Sequence, residues 1–596
     1  LLDAHVGKDI SGSYEDSTCQ PFFTIEAKNA REEDRERFLT IIRETLEKLT
    51  QEGLDRKALA SGINFFEFRF READYATFPK GLIYGIELFV SWLYDDDRPF
   101  DYLKQLSVFE ELKQKAEEGY FEGLIRKYLL ENSHGADVVL RPRRGLAARK
   151  EAEEAEKLAA YKASLGREEL EELVRQTKAL KKYQESEETP EALACIPLLQ
   201  RSDISRKTPV ALRTEKADAD GTDVLYHDYF TNGIGYLTLL FQTEQVPDDL
   251  IPYMGILKSV LGYVSTENYT YGQLFHEINA STGGISCGLQ IFPGRDPEDA
   301  GTRLFGVRAK YLYPQQGFVF RMIREILLTS KLEDEKRLRE ILASLKARLQ
   351  SSLAAAGHNT AASRALSYCS PVYGWQERIG GIAFYRVVEE LESHFEERKD
   401  DLIRRLKRLM KLIFRPENLT VSLTSDAEGR EGLEEQVKAL KAVLCREPVE
   451  TGKMEWQPEQ KNEGFCTSGQ VQYVAAAGNF RKAGFVYTGA LRILKTVLNY
   501  DYLWMNLRVK GGAYGCMSAF RRTGESFLVS YRDPHLKRTL EVYEGLPEYL
   551  RQFHADEREM TKYIIGTVSE LDVPLNASAK GAVALNAWFS GLMEED

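Results

Sequence analysis

Three times along the chain, a stretch of strand period is followed by an amphipathic helix, a short break and a second helix. In the first copy Phe22-Phe23-Thr24-Ile25-Glu26-Ala27 reads as a strand, and Phe38, Ile41, Ile42, Leu46 and Leu49 recur at helical spacing. Gly53-Leu54-Asp55 breaks that pattern, and a second helix is expected from near Lys57. In the last copy the strand is Ser526-Phe527-Leu528-Val529-Ser530-Tyr531, and the helix carries Leu540, Val542, Tyr543, Leu546 and Leu550. Its break is Phe553-His554-Ala555-Asp556, with a helix expected from near Arg558. A looser middle copy runs from strand Leu304 to Ala309 through helix Phe318 to Leu328 and Leu332-Glu333-Asp334 to a long helix ending near Leu349.

Three such units imply three related α+β domains. A domain of this kind needs strands ahead of its first helix, so the chain is expected to begin inside a domain. Residues 144–186 differ from the rest: they are rich in Ala, Glu, Lys, Leu and Arg, and Leu158, Leu165, Leu170, Leu173, Val174 and Leu180 are too sparse for a buried helix. Two exposed antiparallel helices broken at Gly166 fit that pattern, with Pro190 and Pro197 closing a linker over 144–197. A second boundary falls in the polar stretch punctuated by Gly429, Pro448, Gly452, Pro458 and Gly464.

The 596 residues are 43% hydrophobic and 29% charged, enough for several cores. A net charge of −12 and the lack of any basic cluster interleaved with aromatics exclude a nucleic-acid partner. No apolar run reaches membrane-spanning length, so no membrane partner is expected. The opening Leu1-Leu2-Asp3-Ala4-His5 has no basic flank and apolar core, hence no signal-peptide character. Seven scattered cysteines, none in a CxxC pair, favour free thiols over disulfides or a zinc knuckle.

Zinc peptidases draw two histidines from one helix face at three or four residues' separation. Here no two of the eight histidines are closer than 19 residues, and His276-Glu277 reads as a structural helix pair. There is no GxSxG, and Thr282-Gly283-Gly284-Ile285-Ser286 reads as a glycine turn into a strand, not a phosphate loop. The most unusual segment is Asn506 to Gly515. An apolar helix (Ile493, Val497, Leu498, Leu503, Leu507) delivers Arg508 at its end, Gly511-Gly512 release the chain, and Tyr514 precedes another glycine. Glycines let backbone approach a ligand, while Arg and Tyr supply donors for a carbonyl or oxyanion. The alternative is an Arg at a helix C-terminus and a Tyr packed in a turn.

Arg508 to Gly515, followed by Ser530-Tyr531-Arg532-Asp533-Pro534, strongly resembles the last domain of the presequence-protease branch of the insulinase (pitrilysin-like) family of zinc metallopeptidases. Ser11-Gly12-Ser13-Tyr14, Phe78-Pro79-Lys80-Gly81-Leu82, the charged helical stretch, His227-Asp228-Tyr229-Phe230-Thr231-Asn232, Thr282-Gly283-Gly284-Ile285-Ser286 and Gly357-His358 resemble family landmarks in the right order. The resemblance therefore covers essentially the whole chain. It implies repeated insulinase-type (LuxS/metallopeptidase-like) α+β domains with antiparallel-rich sheets: 1–143 as the latter part of a second domain, 144–197 as a helical hairpin linker, 198–428 as the third domain, 429–465 as a connector, and 466–596 as a fourth domain ending slightly short.

In that family two halves enclose a chamber that admits unfolded peptides. The resemblance puts zinc, held by an inverted HxxEH motif and a distal Glu, in a first domain that this chain does not include. Zinc is thus implied for the full-length enzyme, with no metal ligands on this chain. Arg508 would hold substrate backbone, Tyr514 would stabilise the tetrahedral oxyanion, and Gly511 and Gly512 would flank the substrate. Trp504 would line the chamber or serve the core. Expected partners are unfolded peptides and the zinc-bearing N-terminal half, in the cytoplasm or an organellar matrix. The alternative is a non-catalytic peptide-binding or structural relative working with a separate zinc-bearing subunit. A scaffold has no need of a paired Arg and Tyr. The helical hairpin disfavours a stand-alone module, since it points to one continuous two-half chain. In a zinc-replete peptide-cleavage assay the isolated chain is expected to show no chelator-sensitive turnover; robust turnover would refute this.

Overall fold

Each of the three breaks ends in an aspartate, and each aspartate caps the helix that follows. Asp55 accepts from the amides of Lys57 and Ala58, Asp334 from Arg337, and Asp556 from Glu559 in a capping box. The helices on either side of each break are Arg35–Glu52 and Arg56–Glu72, Gln316–Thr329 and Glu335–Ala355, and Lys537–Gln552 and Glu557–Ser569. The strands ahead of them run Phe22–Lys28, Thr302–Leu312 and Glu525–Tyr531.

The structure, a computed structural model, describes residues 1–593 apart from 2, 3, 8, 17, 76, 77, 187, 188, 206–211, 297, 300 and 468–470. The C-terminal Glu594-Glu595-Asp596 and part of the opening pentapeptide lie outside the described residues. The chain divides into two compact units, the first made of 1–15, 21–53 and 122–203 and the second of 16–20, 54–121 and 204–596.

In the first unit, strands β1 (Asp9–Glu15) and β2 (Phe22–Lys28) form an antiparallel ladder. Helices Leu146–Ser164 and Arg167–Glu185 occupy the Ala/Glu/Lys-rich stretch, and Gly166 separates them at the N-cap of the second. Leu158, Leu170, Leu173, Val174 and Leu180 are exposed, as their sparse spacing requires.

The second unit holds a six-stranded mixed sheet of β3 (Glu215–Asp218), β4 (Asp223–Asp228), β5 (Ile234–Gln242), β6 (Ile285–Phe292), β7 (Thr302–Leu312) and β8 (Leu419–Ser425). Its order is β3-β4-β8-β5-β7-β6, and only β4 and β8 run parallel. Alternation along the strands supplies both faces. Leu237, Leu239, Phe241 and Phe305 point into the helical core, where Phe414 meets Phe241 and Phe305 edge-on at 5.1 and 5.3 Å. Leu225, Leu240, Phe292 and Leu304 point the other way, onto the last helix, Ala577–Ser590. A Cβ at Gly581 would lie 1.9 Å from Thr424 Oγ1, so only glycine lets that helix lie on β8. A smaller antiparallel sheet, β10-β11-β9, is built from β9 (Ala475–Asn479), β10 (Gly515–Phe520) and β11 (Glu525–Tyr531). No helix among the described residues is long and apolar enough to cross a membrane.

Helix Arg56–Glu72 is fastened to the large sheet by buried polar contacts. The Asn64 amide donates to the carbonyls of Asn279 and Thr282 at 3.0 and 2.8 Å, and Glu72 accepts from Lys310 Nζ at 2.7 Å and Tyr236 Oη at 3.1 Å. Asn64→Ala would strand both carbonyls and is expected to cost about 2–3 kcal/mol. A lowered urea midpoint at unchanged m-value checks this.

Candidate functional site

The residues around Arg508 owe their placement to an irregular helix. Helix Ala490–Val497 continues as two wider turns, Leu498–Tyr502 and Trp504–Val509, of π type. Such turns are common at functional sites because they rotate side chains out of regular register. Leu498, Leu503 and Leu507 sink into a core with Val474, Ala513 and Tyr543, which leaves Trp504 and Arg508 on the exposed side.

At the helix end the chain folds back on itself. A Cβ at Gly511 would lie 2.4 Å from the Leu507 carbonyl oxygen, and Gly512 has φ of +78°, so both positions require glycine. Gly512 N donates to Arg508 O, and Ala513 N donates to Leu507 O, each at 2.9 Å. Tyr514 N then donates to Tyr531 O at 2.9 Å and opens the β10–β11 ladder.

This hairpin brings the candidate side chains together. The Arg508 guanidinium carbon lies 4.1 Å from the centre of the Trp504 ring and 5.6 Å from that of Tyr514. Stacking on two rings holds the cation without neutralising it. Among the described residues no acceptor engages the Arg508 guanidinium, and no hydrogen-bonding partner engages the Tyr514 hydroxyl. Tyr514 is 64% exposed. Both donors therefore face outward and unspent. Burial pushes the thiol of the neighbouring Cys516 up to about 11, which disfavours its thiolate.

The Ser530-Tyr531-Arg532-Asp533-Pro534 segment supports the pair from behind. The buried Asp533 accepts from the Thr539 hydroxyl at 2.6 Å and from His535 N at 2.8 Å, while its backbone exchanges hydrogen bonds with Gln472. Tyr531 meets Tyr514 edge-on at 5.7 Å and His358 edge-on at 4.8 Å, with Tyr473 5.7 Å away. Reading the sequence marked Tyr531 and His358 only as landmarks and missed Tyr473 altogether. The ladder register Gly515↔Tyr531 and helix Gly357–Leu366, packed on β9 and β11, join them to Tyr514. Neither is legible from local pattern.

Other candidates fall in structural places. Glu277 pairs with Lys57, and the His276 ring rests against Phe275. Thr282-Gly283-Gly284 leads from helix Tyr271–Ser281 into β6. Among the described residues no group of three His, Cys, Asp or Glu side chains is arranged to hold a metal ion.

Two family profiles match the chain: the associated domain of peptidase family M16, subfamily C, over residues 140–391 and "PreP C-terminal domain" over 462–596. Protein HypA of Clostridium perfringens is 38% identical over 596 residues, covering 100% of this chain and 61% of the relative. Presequence protease 1, chloroplastic/mitochondrial, of Arabidopsis thaliana is 31% identical, covering 100% and 56%. The mitochondrial presequence protease of Yarrowia lipolytica is 25% identical, covering 98% and 58%. The chain thus spans roughly three-fifths of the length of these relatives.

Burial lowers the His358 imidazole below its ordinary value near 6.5, and its Nδ1 has no hydrogen-bonding partner among the described residues. The ring is expected to remain neutral as pH falls past 6.5. Because its folded pKa lies below the unfolded one, its contribution to stability is present above about pH 6.5 and lost as pH falls through the depressed value. An NMR titration checks this: Tyr531→Leu, by opening the cluster, is expected to return His358 toward 6.5.

Proposed function

Because the chain belongs to the presequence-protease type of the M16 peptidases, the insulinase family, we propose that it forms the substrate-enclosing part of a zinc-dependent metalloendopeptidase. The enzyme would degrade unfolded peptides inside a closed chamber, with a zinc-bearing half as this chain's partner. The observation that carries the reading is the Arg508 guanidinium, stacked on Trp504 and Tyr514 and paired with no acceptor among the described residues. A charged donor held in place but left unsatisfied is suited to a ligand that brings its own oxygens.

The geometry supports a division of labour. The Arg508 guanidinium offers a fork of N–H donors, which suits carbonyl oxygens along a peptide backbone. Tyr514 carries one O–H, suited to donate to the oxyanion that develops as the scissile carbonyl becomes tetrahedral. Gly511 and Gly512 keep side chains away from the path between them, and Trp504 fixes Arg508 while presenting an exposed apolar ring to the chamber. The described residues do not fit a metal, so we assign no metal chemistry to them. An organellar matrix and the cytoplasm are both compatible with this role.

When the chain is joined to a zinc-bearing half, Arg508→Ala and Tyr514→Phe are each expected to lower turnover by about 10²–10³. Steady-state kinetics with an unfolded peptide read this out. Rates near wild type in both variants would move the pair to a structural role and favour the non-catalytic alternative.

A further inference from the structure

Every sheet that ends in an unpaired strand exposes a template for pairing, and proteins usually blunt it. In the second unit three of the four sheet edges are managed. Strand β3 is four residues long and carries Glu215, Lys216 and Asp218. On β10 the Ser518 amide and hydroxyl both donate to Asn499 Oδ1, at 2.7 and 2.8 Å. Strand β9, Ala475–Asn479, is only five residues long.

The fourth edge, β6, has packing only at its far end, where Ile291 meets Leu366, Val372, Tyr373 and Phe527. Its sequence, Ile285-Ser286-Cys287-Gly288-Leu289-Gln290-Ile291-Phe292, is eight residues long and uncharged. Lys310 N donates to Gly284 O, and β6 pairs with β7 from Ile285↔Ala309 to Phe292↔Thr302. That register turns the C=O of Gly284 and the N–H and C=O of Ser286, Gly288 and Gln290 toward β7, and the N–H and C=O of Ile285, Cys287, Leu289 and Ile291 away from it. Among the described residues none of the latter groups has a hydrogen-bond partner. Nothing lies within 4 Å of where a Cβ on Gly288 would be.

The entrance to β6 opens onto a cleft of about 540 Å³ whose lining includes Phe65, Phe68, Phe275, Arg69, Lys310 and Gly283. Phe65 and Phe275 are more than half exposed. We propose that the β6 edge and this cleft form a second peptide-docking site, distinct from Arg508 and Tyr514. An extended peptide with alternating apolar side chains would add as a seventh strand, with an aromatic side chain in the cleft. Four outward donor–acceptor pairs at two-residue spacing match an extended backbone and no folded one. Side chains alternating with them would rest beside Ile285, Leu289 and Ile291, which pack on the core face. The inference rests on reading the chain as a peptide-enclosing part, but not on the roles given to Arg508 and Tyr514.

The test is binding of a fluorescent eight-residue peptide that alternates valine and threonine and carries one phenylalanine, measured by polarisation on the whole chain. Two further versions carry N-methyl groups on alternate residues, one in each register. Addition to β6 requires one version to bind at least about tenfold more weakly, since the four N–H donors that face β6 are lost, while the other stays within about twofold of the parent. A one-residue slip cannot rescue the weak version, because it would turn threonines to the apolar face. Leu289→Pro removes an outward N–H without touching the β6–β7 ladder, and it is expected to weaken the parent peptide similarly; if that variant does not fold, the two methylated peptides on the wild-type chain decide alone. Equal weakening in both registers, absence of binding, or a β6-dependent dimer seen in sedimentation would each overturn the proposal. Failure of the Arg508 and Tyr514 roles is read separately, from turnover of the joined enzyme.

Discussion

The carbonyl oxygen of Leu507 sits where a side chain on Gly511 would have to be, and the candidate site depends on that close approach. Leu507 is buried, so its neighbour Arg508 must face out; its carbonyl accepts from Ala513, so the chain must reverse within a few residues. The reversal puts Tyr514 at the head of β10, beside the residue at the tail of β11. Arg508 and Tyr514 are thus brought together by backbone geometry, and the stacking on Trp504 then sets the direction of the guanidinium. Larger residues at 511 or 512 would disturb all of these at once, since the second glycine also holds a left-handed φ.

The support behind this turn comes from distant parts of the chain. Asp533 is buried with its hydrogen-bonding capacity committed to Thr539, His535 and Gln472, which makes the strand end rigid. His358 belongs to the helix that follows Ala356, well over a hundred residues before Tyr514, yet only Tyr531 separates the two rings. The aromatic cluster couples the small sheet to the helices packed on the large one. Asn64, Glu72 and Lys310 do similar work with polar atoms where helix Arg56–Glu72 meets the large sheet. Such contacts hold position well because a buried donor or acceptor left alone is costly.

Much of the local structure was legible in the residues. The strand–helix–break–helix units appear at the expected places, and each break owes its sharpness to an aspartate that caps the helix after it. The long charged helices follow from sparse apolar spacing, and the turn at Gly511-Gly512 follows from the residue type itself. These are short-range properties: periodicity, capping and left-handed backbone are decided within a few residues.

Partnership across the chain was not legible. Strand order β3-β4-β8-β5-β7-β6, the pairing of Gly515 with Tyr531, the gathering of His358 and Tyr473 around it, and the bare edge of β6 all depend on which surfaces meet. Alternation tells which face of a strand is apolar, but it does not say which neighbour covers it or whether an edge is left uncovered. The sequence by itself determined the units, the breaks and the glycine turn that carries Arg508 and Tyr514. Tertiary structure alone decided what stands behind that turn and which sheet edge remains open, because both are set by packing between residues far apart in the chain.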